Sequence, residues 1–230
     1  MTGMLASVNS VSEALLVLSA GIDIIDLKQP ELGALGALDI AVVKQIVTEI
    51  AGRCPVSATV GDLPMQAELV FNAVKAMAET GVDYVKIGFF PGDDWLGTLD
   101  KLSSLAEHNY ALIAVLFADT KPDISFLSAL AAAGFKGVML DTMNKSAGSL
   151  TQVMIKRDIL AFVKQAKALG LLCGLAGSLR VEDISELLVY QADYLGFRGA
   201  LCLEHDRVGP LNKQAVFKIK QAMKLSVISS

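Results

Sequence analysis

Residues 66–88 read QAELVFNAVKAMAETGVDYVKIG, and this stretch decides the fold. Positions 66–80 have helical spacing, Gly81 stands where a helix-ending glycine belongs, and 84–88 is a short, mostly apolar strand. The same sentence recurs along the chain. Strands are expected at 4–8, 22–28, 56–60, 84–88, 111–117, 137–141, 171–176 and 194–197. Helical spacing occupies 41–51, 66–80, 94–108, 124–133, 156–169, 181–190 and 213–224.

Gly21, Gly81, Gly134 and Gly170 each close a helical run just before a strand. Three of these junctions nearly repeat a phrase: Ala-Gly-Ile-Asp-Ile, Thr-Gly-Val-Asp-Tyr and Ala-Gly-Phe-Lys-Gly. Their irregular spacing argues for a recurring connection and against a solenoid. Strands alternating with helices mean parallel βα units. An open doubly wound sheet competes, but no Gly-x-Gly-x-x-Gly fingerprint follows the first strand. Eight units in 230 residues, near the ~250 of a bare barrel, favour closure. The expectation is an α/β chain forming one (β/α)8 TIM barrel over residues 1–230, with no linker dividing it.

Composition fits that core. Apolar residues make up 53% and charged residues 19%, while aromatics are only 6%, so small and branched aliphatics must fill the interior. The net charge of −4 and the lack of a basic patch argue against a nucleic-acid partner. The longest fully apolar stretch, 110–118, is far short of the ~20 residues a membrane span needs. No secretory pattern opens the chain, and Cys54, Cys173 and Cys202 form no CxxC, so reduced cysteines in a cytoplasmic protein are expected. Two histidines supply a zinc site poorly, and no metal or organic cofactor is expected. The apolar excess is compatible with a homo-oligomer.

In such a barrel, chemistry gathers at the C-terminal strand ends. The residues there are Asp26-Leu27-Lys28, Gly61-Asp62, Lys86, Asp119, Asp141 and Arg198. Lys86 interrupts an apolar strand, and burying an ammonium is costly unless it is paired or neutralised. Asp26 and Lys28 share one strand face and could meet Lys86 across the barrel mouth. A lysine nucleophile must first lose a proton. Desolvation and a second nearby cation both favour that loss and yield an amine able to form a Schiff base. Asp26 and Asp141 could shuttle the protons of such a reaction. The plainer reading makes Lys28 and Lys86 members of a structural ion-pair network with the same aspartates.

Leu175-Ala176-Gly177-Ser178-Leu179 and Gly196-Phe197-Arg198-Gly199 follow the seventh and eighth strands, where barrels commonly bind phosphate. Gly177 and Gly199 would let backbone N–H groups approach the anion, and Ser178 and Arg198 could add side-chain contacts. The alternative is that the glycines only make tight turns. Lys121 and Lys145, in the fifth and sixth loops, sit on the rim that could meet a second phosphate. Trp95, His108 and Cys173 read as packing residues.

These segments resemble the (5-formylfuran-3-yl)methyl phosphate synthases. The likeness runs through Asp26-Leu27-Lys28-Gln29-Pro30-Glu31-Leu32-Gly33-Ala34-Leu35-Gly36-Ala37, Ser57-Ala58-Thr59-Val60-Gly61-Asp62 and Asp83-Tyr84-Val85-Lys86-Ile87-Gly88. It continues through Asp141-Thr142, Ala176-Gly177-Ser178-Leu179 and Gly196-Phe197-Arg198-Gly199. The loop after Asp141-Thr142, Met-Asn-Lys-Ser-Ala-Gly-Ser, is less acidic than the family pattern. The resemblance implies a lyase that condenses two glyceraldehyde 3-phosphate molecules, with loss of phosphate and water, for methanofuran-type cofactor synthesis. It implies the imine at Lys28, proton transfer by Lys86, and supporting roles for Asp26, Asp141 and Lys145. Two rivals remain on the residues alone: a sugar-phosphate epimerase or decarboxylase, and a non-catalytic barrel that binds phosphorylated metabolites.

Overall fold

The computed structural model describes residues 2–92 and 94–225. Its strands are β1 (Gly3–Val8), β2 (Ile24–Leu27), β3 (Val56–Thr59), β4 (Tyr84–Gly88), β5 (Leu112–Phe117), β6 (Gly137–Asp141), β7 (Leu172–Leu175) and β8 (Tyr194–Phe197). They pair in parallel, each with the next, and β1 closes on β8. The described residues therefore form a closed eight-stranded barrel, as the alternation requires.

Between the strands run α1 (Val11–Ser19), α2 (Ile40–Ile50), α3 (Ala67–Ala78), α4 (Trp95–Glu107), α5 (Phe126–Ala132), α6 (Leu150–Val153), α7 (Lys156–Ala168), α8 (Ile184–Leu188) and α9 (Lys213–Leu225). Helix α1 is absent from the helical segments expected from spacing, because Val-Ser-Glu-Ala-Leu-Leu-Val-Leu-Ser is apolar nearly all round. Its start is nevertheless marked: Ser10 Oγ accepts the Glu13 N–H. Asp39 and Asp94 cap α2 and α4 in the same way.

The repeated Gly-x-Asp phrase has a physical meaning. Gly21 and Gly81 adopt φ of 67° and 89°, which turns the chain from helix into strand. The aspartate two residues on then accepts an N–H at the start of the preceding strand. Asp23 binds Met4 N and Asp83 binds Val56 N, each at 2.7 Å. Gln191-Ala192-Asp193 repeats the device without glycine: Gln191 takes φ 56° and Asp193 binds Cys173 N at 2.7 Å.

Two apolar bodies result. The larger lies between strands and helices and includes Ile25, Leu27, Val85, Ile87, Leu140 and Phe162. The smaller lines the inside of the barrel, with Leu5, Ile113, Val115, Phe117, Met139 and Tyr194. Above this apolar layer the inward positions turn polar, and that change makes the site. All three cysteines are buried and unbridged, and burial pushes the Cys173 thiol up to about 12. No helix among the described residues is long and apolar enough to cross a membrane.

Candidate active site

Parallel register places Ser7, Asp26 and Ser57 side by side on β1, β2 and β3. Their inward side chains converge on one carboxylate. Ser57 Oγ donates to Asp26 Oδ1 at 2.6 Å and Ser7 Oγ to Oδ2 at 2.8 Å. Lys86, from β4, donates to Oδ1 at 2.9 Å. Asp26 is wholly enclosed and Lys86 is 1% exposed. Burial alone would raise the Asp26 carboxyl, but the Lys86 and Lys28 charges and the Ser57 hydroxyl hold it below the usual range. A buried ion pair survives only when its remaining hydrogen-bonding capacity is filled in this way.

Lys28 lies one residue past β2 and faces a second carboxylate, Asp141 at the end of β6. Its Nζ is 3.8 Å from Asp141 Oδ2. Lys145 holds the other oxygen at 2.5 Å, and the Thr142 N–H donates to it at 2.7 Å. Burial lowers the Lys28 ammonium to about 8; Asp141 opposes that shift, while Lys145 and Lys86 add to it. Burial works against ionised Asp141, yet Lys145 and Lys28 bring it down to about 2. The outcome is an anionic Asp141 beside a lysine that gives up its proton near neutrality.

Loop aspartates fix these groups. Asp62, after β3, accepts the Ala34 and Leu35 N–H groups at 2.7 and 2.6 Å, which pins the β2–α2 loop with Leu35 buried beneath it. Asp119, after β5, accepts the Met143 and Asn144 N–H groups at 2.8 and 2.7 Å and sets the start of the loop that carries Lys145. Although that loop departs from the family pattern, Lys145 reaches the site. Lys121 is exposed and does not line the cavity.

The cavity above these residues spans about 640 Å³ with the solvent space at its mouth, and is lined by Lys28, Lys86, Asp141 and Lys145 on one side. Gly177, Ser178 and Gly199 line the other. Gly177 has φ 110°, and a Cβ there would stand 2.8 Å from Thr142 Cγ2 and 2.9 Å from Thr142 N. The β7 and β6 loops therefore touch at this point, and only glycine fits. Ser178 takes φ 48° and donates to Lys145 O at 3.3 Å.

Arg198 lines the cavity, but every N–H of its guanidinium is already used within the protein. Nε donates to Arg207 O, Nη1 to Ser7 O and Glu13 Oε2, and Nη2 to Glu13 Oε1 and Gly209 O. The cause is Glu13, a carboxylate buried at the start of α1 that needs a cation at 2.5 Å. Arg198 thus ties β8 to α1 and to the loop before α9.

Sequence reading did not single out Ser7, on β1, or the rim residues Arg180, His205 and Arg207. The last three sit in loops after β7 and β8, the expected rim, but nothing distinguishes a loop arginine from a solvated one in sequence. Arg207 donates to Pro30 O at 2.8 Å and Gly33 O at 2.9 Å, fastening the β8 loop to the β2 loop. The remaining packing assignments fit: Trp95 Nε1 binds Phe90 O, and His108 caps α4. Among the described residues no three His, Cys, Asp or Glu side chains form a metal-binding group.

Comparison with known proteins bears on the fold and on the family. Solved structures with the same fold include a phosphoribosyl anthranilate isomerase from Thermotoga maritima (TM-score 0.70, 12% identity, 97% of this chain and 99% of that one). Another is a 3-keto-L-gulonate-6-phosphate decarboxylase from Vibrio cholerae (TM-score 0.68, 12% identity, 97% and 98%). At these identities the likeness concerns fold alone. Sequence relatives are nearer. The chain is 41% identical over 221 residues to a Methylorubrum extorquens protein provisionally named (5-formylfuran-3-yl)methyl phosphate synthase, covering 96% of this chain and 91% of the relative. It is 31% identical over 233 residues to the synthase of that name from Methanocaldococcus jannaschii, covering 96% and 99%. The family model described as 4-HFC-P synthase matches residues 4–220. This chain belongs to the 4-HFC-P synthase family.

Proposed function

We propose that the protein is a lyase that joins two molecules of glyceraldehyde 3-phosphate into (5-formylfuran-3-yl)methyl phosphate through an imine on Lys28. The observation that carries this reading is the unequal state of the two buried lysines. Lys86 is held at 2.9 Å by a carboxylate that two serines also bind, whereas Lys28 stands 3.8 Å from Asp141 and is lowered to about 8. A lysine that loses its proton near neutral pH is the one suited to attack an aldehyde.

The imine makes the adjacent C–H acidic, and its enamine adds to the second aldehyde. Loss of one phosphate and two waters then balances two triose phosphates against the furan product. Asp141, beside the Lys28 nitrogen, and Lys86, paired with Asp26, move protons at the carbinolamine and elimination steps. Phosphate groups are held by the Gly177-Ser178 and Gly199 loops together with Lys145, Arg180 and Arg207. No cofactor is required, because the protonated imine is the electron sink. The product serves methanofuran-type cofactor synthesis in the cytoplasm.

Purified protein incubated with glyceraldehyde 3-phosphate should develop a furan ultraviolet band, and borohydride should fix a triose adduct on Lys28. Wild-type turnover in a Lys28→Ala protein would refute the imine.

A further inference from the structure

A second cavity, of about 570 Å³ with the solvent space at its mouth, occupies the lower half of the barrel. Ile24, Tyr84 and Leu172, at the first positions of β2, β4 and β7, are only partly buried, so this cavity meets solvent at the N-terminal face. Lys86 lines both this space and the active-site cavity above it. Tyr194 lies inside the barrel over Gly174, where even a Cβ would come within 2.3 Å of its ring. It is buried, and among the described residues neither its hydroxyl nor that of Tyr84 has a hydrogen-bond partner within the protein. Ser57 adds a third hydroxyl, already donating to Asp26.

We propose that the lower barrel is a water-filled shaft through which Lys86 exchanges protons with solvent from the side opposite the substrate. The walls are mainly apolar, but Lys86, Asp193 and the hydroxyls of Ser57, Tyr84 and Tyr194 also line the space, and they supply the polar partners that a buried water needs. Such a file reaches from the N-terminal face to the one lysine shared by both cavities. The need for it follows from the upper site, and here the inference rests on the proposed condensation. Substrate bound in the mouth would stand between Lys86 and the solvent above it, yet the reaction moves several protons. With the shaft, a proton given upward by Lys86 to a departing oxygen is replaced by one arriving along the water file. A proton taken from substrate carbon leaves the same way. Each relay hydroxyl accepts one proton as it passes one on, so the count balances.

The test narrows the lower mouth without touching the upper site. In deuterium oxide, glyceraldehyde 3-phosphate recovered after partial turnover by wild type should carry deuterium at C2. Leu172→Phe should lower that incorporation at least threefold, since the abstracted proton stays and returns, while borohydride adduct at Lys28 is unchanged. Ile24→Phe offers the same constriction from another strand if Leu172→Phe folds poorly. Wild-type incorporation in a folded plugged variant would overturn the shaft. A crystal structure of the wild-type protein gives an arm independent of activity. Ordered waters joining Tyr194 Oη to Lys86 Nζ are expected, and a dry or collapsed lower barrel would overturn the proposal. If the wild type fails to react with glyceraldehyde 3-phosphate, the proposed condensation falls, and the crystal structure alone decides the shaft.

Discussion

Lys28 Nζ stands 3.8 Å from Asp141 Oδ2, beyond hydrogen-bond reach, although both groups are buried. Asp141 is already committed to Lys145 at 2.5 Å, so Lys28 receives its charge without a full bond. Desolvation then prevails, and the ammonium falls to about 8. Borohydride trapping at Lys28, measured from pH 6 to 9.5, should therefore rise about tenfold per pH unit below about 8 and level off above it. A plateau reached only near pH 10 would contradict this account.

The neighbours of Lys28 push it in opposite directions, which gives a signed test. Lys145 lowers it and Asp141 raises it. Lys145→Met should move the trapping profile to higher pH, both by removing a like charge and by freeing Asp141 for Lys28. Asp141→Asn should move it lower. Mass spectrometry of the trapped peptide across pH reads both shifts.

The same imbalance appears in stability. Unfolded Lys28 would titrate near its ordinary value of 10.5 and the folded residue near 8, so the cost of the buried ammonium is fully present below pH 8. Between these values the unfolded chain binds more protons, and folded stability rises with pH from this group. Lys28→Met should melt higher than wild type at pH 7, with an advantage that shrinks as pH climbs from 8 towards 10.5. An advantage that grows over that interval would reverse the sign.

Arg198 and Glu13 predict a different pattern. Removing one partner of a buried, hydrogen-bonded pair strands the other, typically at about 3–5 kcal/mol. Arg198→Leu alone should lose roughly that much in urea unfolding, and adding Glu13→Leu should restore part of it. A phosphate-binding arginine would instead leave stability nearly unchanged.

Gly177→Ala joins strain at φ 110° to a clash with Thr142. Stability should fall by about 1–3 kcal/mol, and calorimetric affinity for inorganic phosphate should fall with it. Thr142→Ser, which removes the Cγ2 nearest the new methyl, should recover part of both losses.

The barrel was legible because each βα junction carries its own mark. Gly81 turns the chain and Asp83 ties its strand to the one before, and the repeat at Gly21-Ile22-Asp23 does the same. Three charged residues at the centre were legible for a similar reason: alternation along β2 and β4 sends Asp26, Lys28 and Lys86 inward. What sequence could not supply was pairing. Asp26 takes Lys86 and Asp141 takes Lys145, and that distribution depends on register across strands distant in the chain. The pairing of Arg198 was hidden for the same reason, because its partner, Glu13, lies at the other end of the sequence. Arg180 and Arg207 were missed because long loop side chains carry no periodic signal.

Six lysines and arginines but a single carboxylate line the upper cavity, in a chain whose formal charge is −4. The molecule is therefore electrically divided: an anion to a distant resin, but a cation to a solute that has reached the mouth. On the proposed function, this local field would draw in the phosphorylated substrates, over a range set by the ions around it, about 8 Å at physiological salt. Capture should weaken as salt rises even though protein and substrate carry the same overall sign.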